Sequence, residues 1–157
     1  MSVFVVDTNI LIYAADRDSP ENARCHRLLG GWRSQTTPWY LTWGIVYEFL
    51  RVATHPQVFA KPLSLDEAWR FMDAVLSSPS LGFLVETDRH RHVIQEVFAE
   101  IPGIKGNLVF DAHTAILMRE NGIKTIYTHD ADFNRFAFLD VIDPIADFRR
   151  STPLRRG

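Results

Sequence analysis

Short apolar runs alternate with segments of helical periodicity along the chain. Residues 3–6 form a continuous run of valine and phenylalanine, which is typical of a strand buried on both faces. Shorter apolar segments predict four further strands, at residues 36–40, 83–85, 125–127 and 141–142. Because helical segments separate these strands, the pattern predicts a parallel sheet wrapped by helices, which is an α/β fold.

Capping signals mark the ends of several predicted helices. These helices span residues 8–15, 21–33, 41–53, 64–76, 89–101 and 108–120. Ser64 and Glu67 have the spacing of a capping box, and Thr42 is a suitable N-cap for the third helix. Asn121 and Gly122 form a stop signal after the last helix.

The composition is that of an ordinary globular domain. The 157 residues are 46% hydrophobic, which is enough to bury a sizeable core without disulfides. Cys25 is the only cysteine, which favours a reducing compartment. The sequence has neither a membrane-helix nor a signal-peptide pattern. We therefore predict a cytoplasmic protein with no membrane association. We also predict one domain over residues 1–147 and a basic C-terminal tail over residues 148–157.

The charge distribution leaves the class of partner open. The net charge of −2 argues against general binding to polyanions. Only three of the 17 basic residues are lysine, and guanidinium groups match phosphate oxygens well. A GC-rich genome explains the same bias equally well. The predicted tail is a candidate for nucleic-acid contact because it contains Arg149, Arg150, Arg155 and Arg156.

Two aspartates follow closely on predicted strands. Asp7 comes directly after the first strand, and Asp130 lies shortly after the strand at residues 125–127. Ligands of an open parallel sheet bind beyond the carboxyl ends of its strands, so both side chains are candidates for a site there. The alternative is that each aspartate only caps the helix or turn that follows it.

Two more carboxylates lie in helices that otherwise pack into the fold. Glu48 is the only charged residue between Tyr40 and Leu50. A buried carboxylate is costly unless it is paired, so Glu48 either forms a salt bridge with Arg51 or binds a metal ion. Asp111 lies in the first turn of the last long helix, where the helix dipole alone favours a negative charge. From that turn Asp111 could also point toward the carboxyl edge of the sheet.

Four carboxylates at one edge would require a cation, because like charges raise one another's pKa unless a cation or a proton lies between them. Oxygen ligands favour Mg²⁺ over Zn²⁺, and Mn²⁺ is also possible. The histidines offer no convincing zinc motif, since His90 and His92 are two residues apart and would not share a helix face. Such an ion lowers the pKa of a bound water, which suits phosphodiester hydrolysis. Asp132, two residues after Asp130, is either an outer group of this site or the N-cap of the next turn.

Four segments of the sequence together match a known set of motifs. They read VVDTNILIYA, TWGIVYEFLRV, NLVFDAHTAIL and THDADFNRF. Taken in order, they resemble PIN-domain ribonucleases, and specifically the VapC toxins of VapBC toxin–antitoxin modules, from residue 2 to about residue 144. The resemblance implies a PIN-like fold, with a five-stranded parallel sheet flanked by helices on both faces. It also implies a Mg²⁺-dependent endoribonuclease that cleaves transfer or ribosomal RNA, forms a homodimer and is inhibited by a VapB-type antitoxin.

The resemblance extends to individual residues of the site. The acidic quartet of the family is matched by Asp7, Glu48, Asp111 and Asp130, and a frequent fifth acid by Asp132. Supporting polar positions are matched by Thr8, Asn9, Asn107 and Thr128. The expected products are a 5′-phosphate and a 3′-hydroxyl, because a water molecule rather than the ribose 2′-hydroxyl attacks. The chain departs from many relatives in an extended middle region at residues 55–80 and in its basic tail.

Three arginines are candidate contacts for RNA phosphates, namely Arg17, Arg51 and Arg135. The simpler reading is that each is an ordinary surface or salt-bridge arginine.

Other protein classes fit the sequence less well. A haloacid-dehalogenase-type phosphatase needs a second aspartate two residues after the first, and that position is Asn9. A phosphoacceptor receiver domain needs a lysine after one of its last strands, but Lys124 precedes its strand. The alternative of a different class is a PIN-like module that binds RNA or a protein without cleaving it.

Overall fold

The structure is a computed structural model and describes residues 3–146. Its strands are β1 (Phe4–Val6), β2 (Trp39–Leu41), β3 (Leu81–Phe83), β4 (Thr125–Tyr127) and β5 (Asp140–Ile142). Its α-helices are α1 (Thr8–Ala15), α2 (Asn22–Ser34), α3 (Trp43–Ala53), α4 (Leu65–Leu76), α5 (His90–Glu100) and α6 (Leu108–Glu120), and a 3₁₀ helix spans Ala131–Arg135. The predicted basic tail at residues 148–157 lies outside the described residues.

The five strands form one parallel sheet in the order β3-β2-β1-β4-β5. The chain builds the sheet from β1 outward through β2 to β3, and then returns to the other side of β1 to add β4 and β5. The strand order therefore reverses between β1 and β4, where Val6 pairs with Tyr127. The predicted α/β class is confirmed, and the point of reversal is where sheets of this type bind ligands.

The helices pack against one another in two groups. Helix α1 contacts α2 and α3, and α3 contacts α4, whereas α5 contacts α6. Crossovers between parallel strands are almost always right-handed, which predicts that the connections from β1 to β3 lie on one face of the sheet and the return connection on the other. Helices therefore flank both faces, as predicted.

Three predicted helix ends are confirmed by their backbone contacts. The hydroxyl of Thr42 accepts a hydrogen bond from the Ile45 amide at 3.1 Å, which caps α3. Ser64 and Glu67 form both bonds of the capping box at the start of α4. Gly122 adopts a φ of 72° after α6, a left-handed conformation that favours glycine and ends the helix.

Four of the five predicted strands differ from the observed boundaries, and two of them differ by two residues or more. Strand β2 comprises residues 39–41 rather than 36–40, and β3 comprises residues 81–83 rather than 83–85. Partner strands determine both: Trp39 pairs with Leu81, and Leu41 with Phe83, so Leu41 belongs to β2 and α3 begins only after Thr42. Local apolar content could not reveal this register.

A glycine within β3 has a packing reason. A Cβ atom at Gly82 would lie 2.8 Å from a ring carbon of Tyr40 on the neighbouring strand. The absence of a side chain lets the Tyr40 ring lie across β3, so glycine is accepted there despite its low strand propensity.

Aromatic side chains fill the sheet face around β1. The ring centroid of Phe4 lies 5.3 Å from that of Trp32 and 4.9 Å from that of Tyr127. Phe4, Trp32 and Trp39 are all at most 7% exposed. This packing joins α2, β1 and β4, and it supports the strands from whose carboxyl ends the candidate site is built. Across residues 3–146, none of the helices is long and apolar enough to span a membrane.

Candidate metal centre

The predicted acidic residues lie at the carboxyl edge of the sheet, where the strand order reverses. Asp7 directly follows β1, and Asp130 lies three residues after the end of β4. Glu48 lies on α3, and Asp111 lies in the first turn of α6. All four line one cleft of about 370 Å³. The structure therefore brings together four side chains that are far apart in the sequence.

Asp7 is held by side chains rather than by a helix-capping bond. It is only 7% exposed, and its Oδ2 accepts hydrogen bonds from Thr128 Oγ1 at 2.8 Å and from Asn9 Nδ2 at 3.2 Å. The Asp7 side chain makes no capping bond to α1, although the residue occupies the N-cap position. The alternative that Asp7 only caps its helix is thus not what the structure shows.

Asn9, in the first turn of α1, and Thr128, directly after β4, link these two parts of the chain. Asn9 Nδ2 donates to Thr128 Oγ1 at 3.0 Å, and Asn9 Oδ1 accepts from the His129 amide at 3.0 Å. The Thr128 hydroxyl oxygen also accepts from the Asp130 amide at 3.0 Å. Through these bonds, the same two polar residues orient Asp7 and the backbone of Asp130.

Glu48 contacts α1 instead of its neighbour on α3. Its Oε2 accepts a hydrogen bond from Thr8 Oγ1 at 3.2 Å. No salt bridge to Arg51 occurs among the ion pairs of residues 3–146. The half-buried Glu48 carboxylate is therefore oriented toward the other acids with no cationic partner there.

Asp111, Asp130 and Asp132 form the tightest part of the cluster. One carboxylate oxygen from each lies within 4.8 Å of the others, a spacing that a metal ion can bridge. Asp130 and Asp132 lie on the same side because the chain turns into the 3₁₀ helix directly after Asp130. The N-cap of that turn is Asp130 rather than Asp132, since Asp130 Oδ1 accepts from the Asp132 amide at 2.9 Å.

The surroundings of Asp7 disfavour its charged form. Burial raises the pKa of Asp7 from 3.8 to about 6. The hydrogen bond from Thr128 opposes this rise, whereas the negative charges of Glu48 and Asp130 add to it. Asp7 is thus a carboxylate whose ionisation would be favoured by a nearby cation.

Asp111 shows the same effect more strongly. Burial is again the main cause that raises its pKa, here from 3.8 to about 7. Four other carboxylates add to the rise, in decreasing order Asp130, Asp7, Glu48 and Asp132. Acidic groups with raised pKa values that face one another in a cleft are a recognised mark of functional sites.

The donor set fits a hard divalent cation. The side-chain ligand atoms of the cluster are all carboxylate oxygens, the atoms that Mg²⁺ and Mn²⁺ prefer. A divalent ion would reverse the electrostatics of the cleft, since it would stabilise the ionised forms that the carboxylates now disfavour in one another. The arrangement can therefore hold a metal ion, and with it a polarised water molecule.

The acidic cluster lies between two depressions. A larger groove of about 900 Å³ shares Glu48, Asp111 and Asp130 with the smaller cleft. Asn107 and Arg51 also line the larger groove. A long ligand could thus extend through both depressions and pass the carboxylates on its way.

The other two predicted phosphate contacts line neither of the depressions that contain the carboxylates. Arg17 lines an adjoining cleft of about 820 Å³, which shares Asp16 and Phe59 with the smaller cleft. Arg135 lines none of these three depressions. Of the three candidate arginines, the structure brings only Arg51 into a groove shared with the acidic cluster.

Two exposed aromatic residues beside the cluster were missed from the sequence. Tyr47 is 71% exposed and Phe110 69% exposed, and both line the larger groove. Each directly precedes a predicted acidic residue, Glu48 or Asp111, and that adjacency could have identified them. Neither of them was given a role from the sequence.

Comparison with known proteins identifies the family. The PIN domain matches residues 4–139. Ribonuclease VapC48 of Mycobacterium tuberculosis is 33% identical over 140 residues, which cover 89% of this chain and 96% of the relative. Ribonuclease VapC43 of the same organism is 33% identical over 134 residues, which cover 85% of this chain and 90% of the relative. The chain belongs to the PIN-domain family, and these relatives confirm the predicted resemblance to VapC ribonucleases.

Solved structures agree with this fold. VapC20 of Mycobacterium tuberculosis is described as a toxin that cleaves the sarcin–ricin loop. It superimposes with a TM-score of 0.63 at 19% identity, and the match covers 90% of this chain and 100% of the VapC20 chain. VapBC2 from Rickettsia felis, bound to a DNA fragment from its promoter, has a TM-score of 0.61 at 17% identity and covers 89% of this chain and 97% of its own. At these identities the likeness establishes the fold alone.

Proposed function

We propose that the chain is a VapC-type toxin, a Mg²⁺-dependent endoribonuclease that hydrolyses RNA phosphodiester bonds, with Mn²⁺ as a possible substitute. One observation supports this most strongly: Asp7, Glu48, Asp111 and Asp130 line one cleft. Two of them, Asp7 and Asp111, have raised pKa values and face other carboxylates. The relatives, which are named ribonucleases, supply the type of substrate.

The acidic residues have distinct roles in this proposal. Asp7, Asp111 and Asp130 hold the cation, directly or through water. Asp132 acts on the cation only through water. When bound, the ion neutralises developing charge and lowers the pKa of water. Glu48 completes the site or accepts the proton of the attacking water. Water attacks phosphorus and the 3′-oxygen leaves, so the products are a 5′-phosphate and a 3′-hydroxyl.

The polar residues around Asp7 act by positioning. Thr128 and Asn9 both donate to Asp7 Oδ2, so this oxygen is held in place and the other oxygen is left for the cation. Thr8 orients Glu48 in the same way. Such partners matter because an outer hydrogen bond fixes the geometry of a metal ligand.

The larger groove is our candidate path for the RNA backbone. Arg51 lines it and is exposed, so its guanidinium group can contact a phosphate beside the acidic cluster. Asn107 lines the same groove and can donate to the substrate from the start of α6. Arg17 and Arg135 contact other phosphates of the RNA backbone. The substrate is an RNA of the transfer or ribosomal class.

The protein partners in this proposal are a second copy of the chain and a VapB-type antitoxin. Some solved structures with this fold are of VapBC proteins, such as VapBC-1 from nontypeable Haemophilus influenzae. Inhibition by such an antitoxin would keep the nuclease inactive in the cytoplasm. Co-expression with the small protein encoded beside this gene, if one is present, should abolish toxicity and yield a stable complex.

The nuclease is tested by incubating RNA with the purified chain in Mg²⁺ or in EDTA. Asp7→Asn is compared with Asp73→Asn, the same chemical change at an exposed position of α4. We expect cleavage only with Mg²⁺, loss in Asp7→Asn, normal activity in Asp73→Asn, and 5′-phosphate ends. Cyclic 2′,3′-phosphate ends would contradict the mechanism. RNA binding without cleavage in any condition would support a non-catalytic module instead.

A further inference from the structure

A second group of potential metal ligands lies outside the acidic cluster. Glu86, His90 and His113 each place one ligand atom within 4.8 Å of the others. They come from three elements: the segment after β3, the first residue of α5 and the second turn of α6. We propose that these three side chains form a second metal site, selective for a borderline ion such as Zn²⁺.

The orientation of His90 is set by a buried carboxylate. The Glu120 side chain is fully buried and bonds to His90 Nδ1. Glu120 also accepts bonds from the Thr87 amide at 3.1 Å and from the Thr87 hydroxyl at 2.7 Å. With Nδ1 engaged, Nε2 is the nitrogen of His90 that is left for an ion. A carboxylate behind a histidine is the usual outer arrangement of zinc-binding histidines.

The spacing of Glu86 and His113 fits shared coordination better than a direct bond. Glu86 Oε1 lies 3.5 Å from His113 Nε2, which is longer than a good hydrogen bond. Zinc–nitrogen bonds of about 2.0–2.1 Å in a tetrahedral site separate neighbouring ligand atoms by roughly 3.3 Å. The rings of His90 and His113 are nearly perpendicular, with centroids 6.2 Å apart. Small side-chain rotations would bring all three ligand atoms onto one ion.

The ligand chemistry separates this site from the acidic cluster. Two imidazole nitrogens and one carboxylate favour Zn²⁺ or a similar transition metal, whereas carboxylates alone favour Mg²⁺. Three protein ligands leave one position of a tetrahedral ion open to water. Glu86 and His113 are partly exposed, so an ion can enter from solvent.

A bound ion would connect the two sites through α6. His113 lies two residues after Asp111 and lines the groove that contains the acidic cluster. The ion would cross-link α6 to α5 and to the segment after β3. It would thereby hold the N-terminal part of α6, which contains Asp111.

Calorimetric titration of the full chain with Zn²⁺ tests the site. The chain is first stripped with EDTA and then kept in excess Mg²⁺, which occupies the acidic cluster. We expect one Zn²⁺ per chain at this site. His90→Gln and His113→Gln should each weaken its binding by more than about tenfold, the lower limit seen for loss of an outer partner. His92→Gln is the matched control, because His92 pairs with Glu96 on the same helix and belongs to no such three-residue group.

A second measurement needs no variant. In the unmodified chain, nitrogen NMR should show Nε2 of both His90 and His113 shifting on addition of Zn²⁺, while the nitrogens of His92 stay unchanged. The proposal is overturned if no Zn²⁺ binds, or if either His90→Gln or His113→Gln binds Zn²⁺ as the unmodified chain does. Equal shifts in all three histidines would also overturn it.

Discussion

Helix α6 has a carboxylate at each end, and the two ends behave in opposite ways. Asp111 in the first turn has a pKa raised to about 7, mainly by burial and then by four other carboxylates. Glu120, the last residue, is 8% exposed, yet its pKa is lowered because the donors Thr87 and His90 outweigh burial. Burial alone therefore does not decide the state of a carboxylate. Its partners do.

The difference separates a structural group from a reactive one. Glu120 has its hydrogen bonds within the chain, so its charge contributes to stability. The negative charges around Asp111 are unfavourable in the absence of a cation, so the same interactions that weaken the chain would favour binding of a cation. Functional sites commonly contain interactions that lower the stability of the folded chain.

The largest expected effect comes from removing a carboxylate of the acidic cluster. Asp130→Asn should lower kcat/KM for RNA cleavage by more than about a hundredfold, since even outer partners of metal ligands account for 10–100-fold. The variant should keep its fold, because the change also removes repulsion from Asp111. Cleavage kinetics at saturating Mg²⁺ and a circular dichroism spectrum check both statements. Activity within tenfold of the unmodified chain would show that Asp130 is not a ligand.

The opposite result is expected at Glu120. Glu120→Ala should reduce the free energy of unfolding by about 2 kcal/mol, because it leaves Thr87 and His90 without their buried acceptor. Urea unfolding measures this change. If Glu120→Ala left stability unaltered, the contrast between the two ends of α6 would fail.

Asp132 should have an intermediate effect on activity. It is exposed and its amide, rather than its side chain, bonds to Asp130. Asp132→Asn should therefore lower kcat/KM by about tenfold, as expected for a group that acts on the ion through water. The comparison with Asp130→Asn in the same assay is decisive. Equal losses in the two variants would show that both residues bind the ion directly.

The smallest effect concerns pH. The folded pKa values of Asp7 and Asp111 are about 6 and about 7, above the ordinary value of 3.8. Between about pH 4 and pH 7 the folded chain therefore binds more protons than the unfolded chain. The contribution of this proton binding to the free energy of unfolding is complete below about pH 4 and is lost as the pH rises through 6 to 7. Without divalent ions, Tm should fall from pH 5 to pH 8 by on the order of 2–4 °C for each kcal/mol lost.

Mg²⁺ should reverse that fall, and should raise Tm more at pH 8 than at pH 5, because the ion binds ionised carboxylates. Asp111→Asn is the control for other titrating groups, and its Tm should depend less on pH. Thermal scans at both pH values measure this. An equal pH dependence in Asp111→Asn would show that the carboxylates of the cluster are not its source.

Much of the acidic site could be predicted from the sequence because each residue has a local signal. Asp7 interrupts an apolar run at the end of a strand, and Glu48 is an isolated charge in an apolar helix. Asp111 lies in the first turn of a strongly patterned helix. The family and its nuclease class were also predicted, and the relatives confirm them.

Features that depend on pairing between distant segments could not be predicted. The boundaries of β2 and β3 follow from their mutual register, and Asp130 rather than Asp132 caps the 3₁₀ helix because the chain turns earlier than expected. The group of His90, His113 and Glu86 has no sequence spacing typical of a metal site. Only the packing of α5 against α6 brings its histidines together.

The central claim is that the facing carboxylates hold a divalent cation. The most direct test is to measure Mn²⁺ binding to the chain by electron paramagnetic resonance. The unmodified chain should show saturable Mn²⁺ binding that Mg²⁺ displaces. Asp130→Asn should lose that binding, and Asp73→Asn, at an exposed position of α4, should retain it. Equal Mn²⁺ binding by the unmodified chain and by Asp130→Asn would contradict the account.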